Sequence, residues 1–193
     1  MKTKNPPPSK LLQPRSPVLK ALNELAQLKN LYRQGWLKRG VPELKCESVA
    51  EHTLGVALLS MFLVENLFPR ANLLKTLRMA LIHEAGEVHA GDITPVDGVS
   101  GRVKHRLEKN SVERVFQALP RAGEYLRLWE DFEEGKSIES RIVRQADRLE
   151  MLLQARYYEK LGYHDFEEFF RNAQALMRDP EFKELFDEIE SLR

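Results

Sequence analysis

Apolar residues recur along most of the chain at the three- and four-residue spacing of amphipathic helices, and no segment alternates at period two. That pattern predicts an all-α fold. Leu19, Leu22, Leu25, Ala26 and Leu28 form a first stripe, opened by Ser16-Pro17 with the hydroxyl as N-cap and proline at the first helical position, and broken by Gly35. Arg33 to Gly40 then reads as a connector carrying two arginines and the indole of Trp36. Ser48-Val49-Ala50-Glu51 is a capping box, starting a helix that runs to about Leu67 and is closed by Pro69. A single helix is predicted over residues 73–92, ending at Gly91 with Asp92 opening the next turn. A loop with Pro95, Gly98 and Gly101 follows, then helices over 104–119, 122–133 and 138–161, stopped by Pro120, Gly135 and Gly162, the last capped by Ser137. Asp165-Phe166-Glu167-Glu168 reads as a second capping box, and Asp179-Pro180 starts a final helix. Pro6-Pro7-Pro8 and Pro14, interspersed with lysines, predict a disordered N-terminal arm over residues 1–16, leaving one domain over 17–193.

The helix over 73–92 carries the chemistry. His83 and Glu87 are four apart and share a face, Glu84 lies beside His83, and Asp92 stands at the helix end. Leu81, Ile82, Ala80 and Ala85 make the stretch partly buried, where unpartnered carboxylates are costly. A positive group belongs there, and a divalent metal is the most economical one. His52 at the start of the second helix and Asp147 in the helix over 138–161 extend the set. Two imidazoles and two carboxylates suit a catalytic first-row divalent ion with positions open to water or substrate.

The 193 residues fit one domain, and 42% hydrophobic with 31% charged residues is an ordinary globular balance. A net charge of +1 gives no global field to recruit a nucleic-acid polymer. The single cysteine, Cys46, excludes an internal disulfide and cysteine-based metal sites. The apolar runs are short and interrupted, so no membrane span is expected, and the first residues lack a secretory apolar region, so a cytoplasmic location is.

Four segments together resemble a known family: Glu47-Ser48-Val49-Ala50-Glu51-His52, Leu81-Ile82-His83-Glu84-Ala85-Gly86-Glu87, Gly91-Asp92-Ile93-Thr94-Pro95 and Arg144-Gln145-Ala146-Asp147-Arg148-Leu149-Glu150. They resemble the HD-domain metal-dependent phosphohydrolases, with the match closest to the small 5′-deoxynucleotidase branch; Lys104-His105-Arg106 and Glu108 also look like that branch. The resemblance implies an all-α HD-domain helical bundle, a divalent ion (manganese, cobalt, nickel, iron or zinc) held by His52, His83, Glu84 and Asp147, and a small-molecule nucleotide substrate. The family's His-Asp pair is His83-Glu84 here, which keeps the carboxylate and adds a methylene. Asp92 resembles the family's catalytic acid/base, and Glu87 is placed to orient or deprotonate a water. Arg33 is the candidate fork for phosphate oxygens and Trp36 the candidate cover for base or sugar. A homodimer is compatible with the resemblance.

Three alternatives stay open: a phosphohydrolase of another small phosphorylated metabolite; a two-iron oxygenase drawing on His89 and His105; and a non-catalytic nucleotide-binding module whose metal site Glu84 has weakened. Lys104 reads as a solvated charge, Glu51 as a cap, Glu150 as a packing residue of its helix, and Phe166, Phe169 and Phe170 as core or dimer contact.

Overall fold

The computed structural model describes residues 12–192, so most of the arm expected over 1–16 lies outside the described residues. Helix α1 (Pro17–Leu25) starts on Pro17 as expected, but the Ser16 hydroxyl makes no capping bond. The helix then tightens into a 3-10 turn, Ala26–Lys29, well before Gly35. The chain next pairs with itself: Tyr32 and Ser48 form an isolated antiparallel bridge, with Arg33 N–H donating to Glu47 O (3.1 Å) and Val49 N–H to Leu31 O (2.8 Å). This stitch sets Arg33 beside the start of the next long helix. The expected connector is itself partly helical, α2 (Gln34–Lys38), with Gly35 inside it.

The capping box forms as read. Ser48 Oγ accepts from Glu51 N–H, and Glu51 Oε2 accepts from Ser48 N–H (2.6 Å), starting α3 (Val49–Asn66). After α4 (Leu73–Ile82) the expected single helix breaks into a 3-10 turn, His83–Gly86, and a short α5 (Glu87–Ala90). Two side chains from elsewhere take bonds that a continuous helix would make. Trp129 Nε1–H donates to His83 O (3.2 Å), while the Ser111 hydroxyl donates to Ala85 O (3.0 Å) and accepts from His89 N–H (3.1 Å). Gly86 permits this approach: a Cβ there would fall 2.7 Å from Glu108 Cβ. Gly91 ends α5 at φ 82°, as its position implied.

The expected loop holds a small 3-10 turn, Pro95–Asp97, capped by Thr94. The remaining helices are α6 (Gly101–Phe116), α7 (Ala122–Glu134), α8 (Ile138–Lys160), α9 (Glu167–Gln174) and α10 (Pro180–Ser191). Ser137 caps α8 by accepting from Ser140 N–H. The second capping box is not made: Phe166 is the N-cap of α9 and Asp165 sits at φ 77°. α8 is the central rod. Ile142, Val143, Ala146, Leu149, Leu152, Ala155 and Tyr158 are all buried along it and pack against α3 and α4. Phe166, Phe170, Phe182 and Phe186 close the core from α9 and α10. The fold is all-α, and among the described residues no helix is long and apolar enough to cross a membrane.

Candidate metal centre

Three elements deliver four side chains to one point: α3 brings His52, the 3-10 turn after α4 brings His83 and Glu84, and α8 brings Asp147. One ligand atom from each of these four lies within 4.8 Å of the others. His52 is fully buried; its Nε2 is 3.1 Å from Asp147 Oδ1 and 3.6 Å from Glu84 Oε1, while its Nδ1 meets Glu150 Oε2 at 2.5 Å. His83 Nδ1 lies 2.7 Å from Ala80 O, and its Nε2 is 3.6 Å from Glu84 Oε1. A carbonyl can only accept, so the His83 proton resides on Nδ1 and Nε2 offers a lone pair. The two Nε2 atoms are buried and make no well-aligned hydrogen bond.

That donor set fits a first-row divalent ion: two imidazole lone pairs, two carboxylates, and a hydrogen-bonded outer nitrogen on each ring. The electrostatics agree. Burial and Arg33 oppose a charged His52, but Asp147 and Glu150 prevail and raise it to about 10. Burial would raise Asp147 too, yet its contact with His52 holds it below the usual carboxylate range.

The other site residues surround this centre. Arg33, the N-cap of α2, is partly buried; its Nη1 is 3.3 Å from Glu84 Oε1 and 4.0 Å from Asp92 Oδ1. Asp92 Oδ2 accepts from Gln34 N–H at 2.6 Å. Glu87 is 3% exposed and its Oε2 has no hydrogen-bond partner; burial, with Glu84 and Asp92 nearby, pushes its carboxyl well above the usual range. All three line a cavity of about 580 Å³ that also reaches His83, Glu84 and Asp147.

Trp36 differs from the expectation. Its ring forms part of the cavity wall but is only 2% exposed, its Nε1–H donates to Glu47 Oε1 (2.7 Å), and Tyr158, Phe166 and Phe169 meet it edge-on. An indole so enclosed holds α2 in place and has no open face for a base. Lys104 differs in the other direction. It points into the site, donating to Ile93 O (3.2 Å) and lying 3.4 Å from Glu108 Oε1. Burial lowers its ammonium, but Glu108, Glu87, Glu84 and Asp92 raise it more. Glu108, on the same wall, is raised by burial to about 7, against Lys104 and with Glu133 and Glu84.

Glu150, expected only to pack within its helix, instead meets His52 Nδ1; it stands three residues after Asp147 and shares its helix face. His89 turns to Glu24 on α1 (3.0 Å), and His105 is exposed, stacked on Trp129 and 3.3 Å from Glu133. Neither joins the four-residue cluster, so the extra histidine ligands of an oxygenase are lacking among the described residues.

Comparison with known proteins agrees with this geometry. A family model described as HD domain matches residues 25–190. Human 5′-deoxynucleotidase HDDC2 is 33% identical over 180 residues, covering 91% of this chain and 86% of that protein. The crystal structure of PH0347 from Pyrococcus horikoshii OT3 superposes with TM-score 0.79 at 28% identity, covering 91% of this chain and 99% of that one. A protein from Magnetospirillum magnetotacticum MS-1, described as a predicted metal-dependent phosphohydrolase, superposes with TM-score 0.69 at 25% identity over 91% and 89% of the two chains. Sequence, fold and donor cluster thus converge, and the chain belongs to the HD domain family, among its hydrolases.

Proposed function

We propose that this chain is a divalent-metal-dependent phosphohydrolase releasing inorganic phosphate from nucleoside 5′-monophosphates, with 2′-deoxyribonucleotides as preferred substrates. The observation that carries it is the pair of buried, unbonded Nε2 atoms of His52 and His83 facing the carboxylates of Glu84 and Asp147. Those four residues would hold the ion, which when bound supplies a Lewis acid for a phosphate oxygen and a water of lowered pKa. The names of the relatives support the nucleotide substrate and the preference for the deoxy sugar.

This chain's own groups account for the rest. Arg33 presents its guanidinium at the mouth of the cluster, where it can fork onto two phosphate oxygens. Lys104 adds a second cation to the lining of the cavity. Glu87, buried beside His83 with a carboxyl that burial, Glu84 and Asp92 push up, is placed to pass a proton to the leaving 5′-oxygen. Asp92, anchored by Gln34 N–H, orients the attacking water. Trp36 supports Arg33 from behind. One catalytic domain over residues 17–193, a cytoplasmic setting and a homodimer complete the proposal.

The test is phosphate release from the four deoxynucleoside and four ribonucleoside 5′-monophosphates, using chelated protein reloaded with a panel of divalent ions. Metal-dependent release, lost in His83→Ala, is the expected result. Release from other phosphorylated metabolites alone would overturn the substrate assignment, and tight nucleotide binding without turnover under any metal would overturn the enzyme.

A further inference from the structure

We propose that Glu150 is a positioning residue that fixes the ring of His52 for metal binding, and that Gly55 is the gap in α3 that admits it. The inference rests on the metal-centre reading above. Asp147 and Glu150 are three apart on α8 and reach the two nitrogens of one imidazole: Asp147 Oδ1 is 3.1 Å from Nε2, and Glu150 Oε2 is 2.5 Å from Nδ1. With the Glu150 carboxylate as acceptor, Nδ1 donates to it, and the ring is set with Nε2 toward Glu84, Asp147 and His83. His52 is fully buried, so removing Glu150 takes away the acceptor that its Nδ1 meets. The ring would either keep an unsatisfied N–H or turn its proton to the side that should bind the ion.

Gly55 supplies the second observation. It lies inside the 18-residue α3, where glycine is less favourable than alanine. A Cβ at this position would fall 2.5 Å from Glu150 Oε1, 2.9 Å from its Cγ and 3.0 Å from its Cδ. The missing side chain of α3 is thus the space that the Glu150 carboxylate occupies one turn from His52. The gap serves the grip on His52 and not the helix itself.

The experiment compares wild type, Glu150→Ala, Glu150→Gln, Gly55→Ala and the double variant Gly55→Ala/Glu150→Ala. Two quantities are measured: zinc affinity of chelated protein by competition with a chromogenic chelator, and the nitrogen-coupled imidazole proton spectrum of His52. Wild type and Glu150→Gln, whose amide oxygen still accepts, should show a downfield, slowly exchanging proton on Nδ1. Glu150→Ala should lose that proton and bind zinc about 10- to 100-fold more weakly, the usual effect of removing an outer partner of a ligand. Gly55→Ala should weaken zinc in the same direction while remaining folded, since alanine favours helix. The double variant should be no weaker than Glu150→Ala, because both substitutions act on one contact. Wild-type zinc affinity in Glu150→Ala, or additive losses in the double variant, would overturn the inference while leaving the metal centre standing. Folded wild type that binds no divalent ion would overturn the metal centre and this inference with it. If Glu150→Ala fails to fold, Gly55→Ala and Glu150→Gln decide.

Discussion

Glu84 Oε1 lies 3.3 Å from Arg33 Nη1 and 3.6 Å from Nε2 of both His52 and His83. One carboxylate oxygen therefore serves the guanidinium and both imidazoles. Aspartate would withdraw that oxygen by a methylene, so the reach to Arg33 depends on the glutamate. Removing Arg33 takes a cation from the edge of the metal cluster and the fork from the phosphate. Arg33→Ala should bind a divalent ion several-fold more tightly yet lose on the order of 100-fold in kcat/KM, as for other positioned charges at a developing phosphate. Chelator competition and steady-state kinetics read the two effects separately. Unchanged turnover would remove Arg33 from the substrate site.

Glu84→Asp tests the same oxygen from the other side. The shorter carboxylate keeps its charge beside His52 and His83 but releases Arg33. Metal binding should persist within about tenfold of wild type, whereas Glu84→Ala should lose it by far more, since one of four donors is gone. Metal titration distinguishes them. Activity in Glu84→Asp that greatly exceeds wild type would mean that the glutamate restrains the enzyme.

Trp36 is a structural residue, and its substitution should separate stability from substrate affinity. Trp36→Phe keeps an apolar ring against Tyr158, Phe166 and Phe169 but leaves the Glu47 carboxylate without its indole donor. A loss of about 1–3 kcal/mol is expected in denaturant unfolding, with KM for nucleotide nearly unchanged. A large rise in KM with no loss of stability would restore the substrate-cover role.

The helices were legible because their starts and stops are local: Ser48 with Glu51, Ser137 before α8, and Gly91 at positive φ each act within a few residues. The four-residue cluster was legible as a set of donors. What escaped depends on contacts distant in sequence. The break after Ile82 is held by Ser111 and Trp129 from two other helices, which no local pattern reveals. Trp36 became core because α9 lays Phe169 against it, and Lys104 turned inward because Ile93 and Glu108 hold it. Glu150 was misjudged for a different reason: its spacing from Asp147 was visible, but the partner that gives it meaning sits on α3.

The Ser111 hydroxyl joins Ala85 O and His89 N–H, a pair that would bond directly in a continuous helix. Ser111→Ala leaves both groups without this partner or lets the turn straighten toward α-helix. Straightening would rotate Glu87 relative to His83. A stability loss of about 1–3 kcal/mol and a fall in kcat exceeding any change in KM are expected. Full activity with full stability would show that the broken helix does not depend on this hydroxyl.

Glu108 gives the chain a pH-dependent stability of definite sign. Burial raises its carboxyl from the ordinary 4.5 to about 7, with Glu133 and Glu84 adding and Lys104 opposing. Between those values the folded chain holds a proton that the unfolded chain has lost. The unfolded state binds fewer protons, so the slope of unfolding free energy against pH is negative, and stability falls as pH rises through this window. The shift corresponds to on the order of 1–3 kcal/mol after allowing for partial exposure to solvent. Glu108→Gln, which keeps the shape and cannot ionise, should remove this contribution. In metal-free protein its stability relative to wild type should therefore improve from pH 5 to pH 8, measured by urea unfolding at each pH. A difference between the two proteins that stays flat across that range would place the Glu108 carboxyl at its ordinary value and sever its link to the wall formed with Lys104.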